Sequence, residues 1–235
     1  EWFSDMDWWE VRNRPRIRPE YVDQVKERSQ YALAVAPVMQ RGASLSYSDK
    51  EIRTQIFGTN EEYMETISTN IEKGRFFTNS EDKSGMRVTV IGDGIKKAFF
   101  GDEEAIGKYI KIDNMKFRVI GILEEQAKFL GLFSTDKQAI LPFGAYKRIF
   151  SKRGFMRLSV KVPEDKIEEA VDEMSFVMRH IRGLKPSQKN DFAINQTKAF
   201  EKQYNTLKIA IGGTGTFITL LSLIVGGIGV MNIMF

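Results

Sequence analysis

The sequence has no cysteine in 235 residues and only one histidine, His180. The first absence excludes disulfides, thiolate-held metals and a cysteine nucleophile, and is compatible with either side of a membrane. The second excludes a histidine-based zinc site or catalytic dyad; His180 falls near the end of a helical pattern, where a protonated ring suits the helix dipole. Charge of one sign is also missing. The net charge is +4, from 35 Lys and Arg against 31 Asp and Glu, too small and too dispersed to specify nucleic acid. Two glycine-bearing runs, GDGIKK (92–97) and GGTGTF (212–217), lack the G-x-x-x-x-G-K-[ST] spacing of a phosphate loop. They read as a strand-to-helix turn and as helix packing. Acidic residues cluster as EDK, DEE and EDKIEE, mostly in first turns of helices, where carboxylates favour the dipole. With no nucleophile, metal set or paired buried acids, neither catalysis nor a cofactor in this chain is indicated.

The longest absence is at the end. From Ile209 to Phe235 there are 27 residues without Asp, Glu, Lys or Arg. At ~1.5 Å each they make a helix of roughly 40 Å, more than the roughly 30 Å of a bilayer's hydrocarbon core. A surface helix needs a polar stripe, so this segment reads as a membrane span. Gly212, Gly215, Thr219, Ser222, Gly226 and Gly229 recur every three or four residues and share one face, as small residues do where spans pack. The expected partner is another membrane helix. The sequence starts at Glu1 and stops inside apolar residues, so it reads as a piece of something longer. No signal peptide is visible, and without basic flanks the charge leaves orientation open.

The body alternates between two rhythms. WWEVR (8–12) reads as a strand, a helix runs from Pro19 to about Arg28, and YALAVAPVM (31–39) is an apolar strand. ASLSYS and IRTQIF then alternate as half-buried strands do. Asn60 is positioned to cap EEYMETI, MRVTVIG is a strand, and Asp93 is positioned to cap IKKAFFG. YIKID and KFRVIGIL flank an Asp113–Asn114 turn as a hairpin. RLSVKV (157–162) is a strand, and EDKIEEAVDEMSFVMRHIRG a helix with Ile167, Ala170, Val171, Met174, Val177, Met178 and Ile181 on one face and Gly183 as terminator. DFAINQ reads as a last strand. A strand–helix–strand unit at each end around a β-rich middle implies an α+β protein: a split ferredoxin-like sandwich with residues 44–150 inserted as a second lobe. Thr197 then caps a helix that can continue into the apolar tail as a stalk.

SLIVGGIGVMNIM (222–234) closely resembles the start of the second transmembrane helix of MacB-type ABC exporter permeases. GRFFTNSEDKSGMRVTVIG (74–92), KKAFFGDEEAIGKYIKIDNMKFRVIGIL (96–123), GLKP and NDFAINQ (183–196) resemble segments of that family's extracytoplasmic domain, in the same order. The resemblance implies a porter lobe from residues 1–43 and 151–200, an inserted sabre lobe over 44–150, and a stalk and span over 201–235. It implies a cell (inner) membrane location with the folded domain on the periplasmic or extracellular side. It further implies a homodimer whose ATP and Mg sit on an ABC ATPase domain or subunit, fused or separate. In Gram-negative relatives, a periplasmic adaptor and outer-membrane channel complete the assembly. The expected role is a mechanical relay for export; the rivals are a membrane-anchored binding or sensing ectodomain and a tethered hydrolase.

Two surface features remain. Arg12, Arg14, Arg16 and Arg18 alternate with other residues, so an extended backbone points all four one way, toward lipid phosphate, an acidic partner or plain solvent. Phe129, Leu130, Leu132 and Phe133 surround a glycine in what reads as a loop, either a contact site for substrate or partner or an edge buried on the inserted lobe.

Overall fold

Strand β1 (Ala34–Tyr47) runs along most of the sheet and touches three other strands. In the computed structural model of the chain, residues 14–67, 69–125, 136–150 and 155–196 are described, with Gly212, Ile218, Thr219 and Ser222. Helix α1 (Tyr21–Arg28) precedes β1. Then come β2 (Lys50–Thr59), α2 (Tyr63–Thr66), β3 (Ile71–Gly74), α3 (Asn79–Ser84), β4 (Val88–Gly92) and α4 (Asp93–Phe100). The order continues with β5 (Tyr109–Ile112), β6 (Met115–Leu123), β7 (Gln138–Pro142), α5 (Phe143–Phe150), β8 (Met156–Lys161) and α6 (Ile167–Ile181).

One edge of β1 pairs antiparallel with β2, from Met39↔Gly58 to Tyr47↔Lys50. Its other edge takes β8 along Ala34–Met39 and β5 at Leu45 and Ser46. β2 is parallel to β7, β7 antiparallel to β4, β4 parallel to β6, and β6 antiparallel to β5. The path β1-β2-β7-β4-β6-β5 therefore returns to β1. Six strands close into a ring, which leaves fewer open edges, while β8 extends β1 and β3 extends β6.

Burial follows the sequence pattern. β4 (VTVIG) and β7 (QAILP) are buried at every position, as unbroken apolar runs are when both faces are covered. β5 alternates exposed and buried. Successive residues go to opposite cores: Ile91 and Ala139 join Leu45, Ile56, Phe117 and Leu141, with Ile95 and Phe99 of α4 and Tyr146 of α5. Val90 and Ile140 join Ala36, Val38, Phe77 and Tyr63 of α2. α1 packs on β1 and on α6, through Val22 and Val25 on one side and buried residues Ala170, Met174, Val177 and Met178 of α6. Residues 15–190 form one compact unit that carries every described strand and both cores, the anatomy of a domain able to fold alone.

The hairpin expected at Asp113–Asn114 is present, both residues having positive φ (45° and 69°), as a type I′ turn requires. Gly183 (φ 64°) follows α6. Several other expectations are corrected. The expected strands 31–39 and ASLSYS are one strand, so the boundary expected at 43/44 falls inside β1; Gly42 does not interrupt a ladder held on its β2 side by Gln55. Asn60 does not cap α2; its side chain reaches back to the Val35 carbonyl at 3.4 Å, and Glu62 occupies the cap position. Asp93 is the first residue of α4 rather than its cap, and pairs with Lys97 one turn on at 2.6 Å. DFAINQ is not a strand: Phe192 is buried, but no ladder forms there among the described residues. Alternation reports burial on alternate sides and needs a neighbouring strand to become a sheet.

The second unit, residues 1–14 and 191–235, is described at few positions. Gly212, Ile218, Thr219 and Ser222 are helical and exposed. Among the described residues no helix is long and apolar enough to cross a membrane. Most of 209–235, including Gly215, Gly226 and Gly229, lies outside them, as do the expected strand 8–12 and the expected cap Thr197.

Candidate functional site

Helix α6 exists because its apolar residues recur at helical spacing, and it stops where Gly183 adopts a left-handed backbone. Its last turn places two arginines, three residues apart, at the point where both ends of the compact unit arrive. Arg179 Nη1 donates to the Gln188 carbonyl (2.9 Å) and to Asn190 Oδ1 (2.6 Å). Its Nη2 donates to the carbonyls of Lys185 (2.6 Å) and Pro186 (3.3 Å). The planar five-donor guanidinium suits this work, since one side chain can hold several acceptors along a loop. Arg182 Nη2 donates to the Pro15 carbonyl at 3.1 Å, and its Cζ stands 5.9 Å from the Tyr21 ring centroid, within cation–π range. The outgoing lead (185–190) and the incoming lead (15–18) are thus fastened to the same helix end.

A third contact fixes α6 to the layer beneath. Glu173 accepts hydrogen bonds from the Ser29 hydroxyl and the backbone N–H groups of Gln30 (2.7 Å) and Tyr31 (3.3 Å). Burial pushes its carboxyl upward, but the three donors outweigh it and hold the pKa below the usual carboxylate value. Glu173 thereby pins the α1–β1 connection to the middle of α6.

Of the residues singled out by sequence, Arg16 and Arg18 are exposed on the incoming lead and Arg14 is half-buried. Arg12 lies outside the described residues, as do Phe129, Leu130, Leu132 and Phe133. The described members of the small-residue face, Gly212, Thr219 and Ser222, are helical. Among the described residues no group of His, Asp or Glu is arranged to hold a metal. The GDGIKK glycines serve packing: a Cβ on Gly92 would stand 2.2 Å from the Asp136 carbonyl oxygen. The sequence reading missed Arg179, Arg182 and Glu173, whose partners are backbone groups distant in the chain and leave no local pattern. It also missed a legible signal, the T-x-x-E of a capping box at Thr78–Glu81.

The compact unit is thus a mixed α/β domain whose incoming and outgoing leads are both fastened to the end of α6. Residues 3–175 match the family model described as the MacB-like periplasmic core domain, and the chain belongs to that family. It is 31% identical over 206 residues to the pyoverdine export ATP-binding/permease protein PvdT of Pseudomonas aeruginosa, covering 85% of this chain and 30% of that protein. It is 29% identical over 232 residues to the macrolide export ATP-binding/permease protein MacB of Wolinella succinogenes, covering 94% of this chain and 34% of that protein. The chain thus spans about a third of the length of these curated relatives. The periplasmic region of MacB from Actinobacillus actinomycetemcomitans superposes with a TM-score of 0.68 at 19% identity, over 85% of this chain and 89% of that one. The extracellular domain of the ABC-type transporter YknZ from Gram-positive bacteria superposes with a TM-score of 0.62 at 21% identity, over 76% and 91%. At those identities the likeness is one of fold. The part matched is the periplasmic core domain, not an ATP-binding domain.

Proposed function

We propose that this chain is the extracytoplasmic portion of an ABC exporter permease, and that it relays motion of membrane helices to substrate or partner proteins outside the cytoplasm. The observation that carries the reading is the double fastening at the end of α6: Arg179 grips the lead toward 191–235 and Arg182 the lead from 1–14. A displacement of either lead is then delivered to one helix, and through Glu173 to the connection entering β1, instead of being lost in slack chain. Work is done by rigid-body shape change. In this reading residues 209–235 span the inner membrane with the small-residue face against a neighbouring helix, and the folded domain works as a homodimer. ATP and Mg act on the ATPase domain or subunit, and in a Gram-negative cell an adaptor and outer-membrane channel receive the motion.

The test uses the full-length protein with its ATPase. Arg179→Ala combined with Arg182→Ala should leave the domain's melting cooperative while abolishing export and its coupled ATPase stimulation; normal export by that variant refutes the relay. Location is tested separately. Because the chain has no cysteine, a single Ser187→Cys on the exposed outgoing lead is the sole thiol it contributes. A membrane-impermeant maleimide should label it in spheroplasts, and labelling only after lysis would place the domain in the cytosol.

A further inference from the structure

The compact unit holds a groove of about 970 Å³ between the incoming lead and α5, at the upper end of the range of small-molecule sites, about 300–1,000 Å³. Its floor and walls are apolar: Met39 and Met156 are buried beneath, and Ile17, Phe143 and Phe150 stand half-buried around it. Phe150 is held by its neighbours, with ring centroids 6.1 Å from Phe117 and 5.7 Å from Tyr146. The polar part is of one sign. Arg16, Lys147 and Arg148 line it, all three exposed, and no acidic side chain does so among the described residues. None of the three cations has a hydrogen bond or ion pair among the described residues. The Arg148 guanidinium lies over the end of α3, where a Cβ on Gly85 would stand 2.9 Å from its Cζ.

Three cations without a counter-ion among the described residues repel one another, and the half-buried Ile17, Phe143 and Phe150 beside them keep apolar surface in water. One occupant relieves both: an anion with an apolar body. We infer that this groove binds a small anionic amphiphile, its carboxylate, sulfonate or phosphate head between Arg16 and Lys147 and its body on Phe143, Phe150 and the two methionines. The thioethers suit a site that must fit bodies of varied shape. An acidic peptide fits worse. No Ser, Thr, Asn, Gln, Asp or Glu side chain lines the groove among the described residues, so the N–H groups of a peptide would be desolvated with no side-chain acceptor there. The inference does not depend on the transport reading, because it concerns residues 15–190 alone.

The test uses residues 15–190, which contain no tryptophan, since Trp2, Trp8 and Trp9 lie outside them. Phe143→Trp places a reporter in the groove, and calorimetry on the unsubstituted unit checks it. Titration with dodecanoate below its micellar concentration, in moderate salt, should give a saturable one-site signal. Neutral dodecyl maltoside and cationic dodecyltrimethylammonium should bind at least about ten-fold more weakly, as should dodecanoate to Arg16→Glu/Lys147→Glu, since two attractions are lost and two repulsions gained. Melting of that variant should be unchanged, its sites being exposed. Equal binding of the three amphiphiles, undiminished binding by the reversed variant, or no saturable binding overturns the inference. So does preferential binding of a glutamate-rich peptide, or of vesicles of anionic lipid without dodecanoate binding.

Discussion

Glu81 gives the sharpest quantitative expectation. It closes the capping box of α3: the Thr78 N–H donates to Glu81 Oε2 at 2.9 Å while the Thr78 hydroxyl accepts from the Glu81 N–H. It is also gripped by both terminal nitrogens of Arg75 at 2.7 Å each. The Arg75 bonds above all, with the Thr78 N–H, hold its carboxyl at about 2 against an ordinary 4.5. By linkage that difference corresponds to about 3 kcal/mol. The Arg75 side chain is 53% exposed, so screening reduces the contribution to about 2 kcal/mol. Glu81→Gln keeps the capping geometry, since Gln serves at that position, and removes the charge. The sign follows from a lowered pKa: the stabilisation is complete above 4.5, fades as the carboxyl protonates on the way down, and is gone near 2. Urea unfolding of residues 15–190 should therefore show Glu81→Gln less stable by about 2 kcal/mol at pH 7, with the gap closing between pH 4.5 and 2. Neighbouring Asp82 shifts the other way, raised chiefly by burial, so only the difference between the two proteins isolates Glu81. A gap that stays constant or widens on acidification refutes the reasoning.

Gly58→Ala should cost about 1–3 kcal/mol, because its Cβ would stand 2.3 Å from Cγ of fully buried Tyr146; wild-type stability in urea would show that β2 and α5 do not pack this way. Glu173→Ala should lose about 1 kcal/mol by removing the charged acceptor shared by Ser29, Gln30 and Tyr31, with hydrogen exchange accelerated in residues 29–31 above all; uniform acceleration would deny it a local pinning role. Ser222→Leu should leave melting of the folded domain unchanged in the full-length transporter yet abolish export, and retained export would remove the small-residue face from the mechanism.

Legibility varied with the range of the interaction that fixes each feature. The β5–β6 turn was readable because Asp113 and Asn114 are the residues that tolerate positive φ, and α6 because its buried residues lie at helical spacing. The buried strands β4 and β7 differ: β4 is legible from its β-branched run, whereas β7, five residues long, has no such run to set it apart from the apolar residues 129–133 before it. Ring closure could not be read at all. It rests on two pairings, Leu45↔Ile112 and Ser46↔Lys111, that no periodicity encodes. The same holds for the candidate site. Arg179 and Arg182 look like ordinary basic residues at a helix end, and become a double fastening only once the fold returns Pro15 to their side. Nor does alternation show where one strand ends and the next begins: 31–39 and ASLSYS read as two strands, whereas the ladder from Met39↔Gly58 to Tyr47↔Lys50 makes them one.

The pairing of Ala34 with Lys161 also sets a timetable. A ribosome adding roughly 5–20 residues per second needs on the order of 6–25 s to deliver the second after the first. Throughout that interval the opening half of β1, buried at six successive positions in the finished protein, has no β8 beside it. A chaperone that shields apolar strands, or slow release from the translocation machinery, would find its natural client in that half-made molecule, and its removal should lower yield without altering the stability of the molecules that do mature.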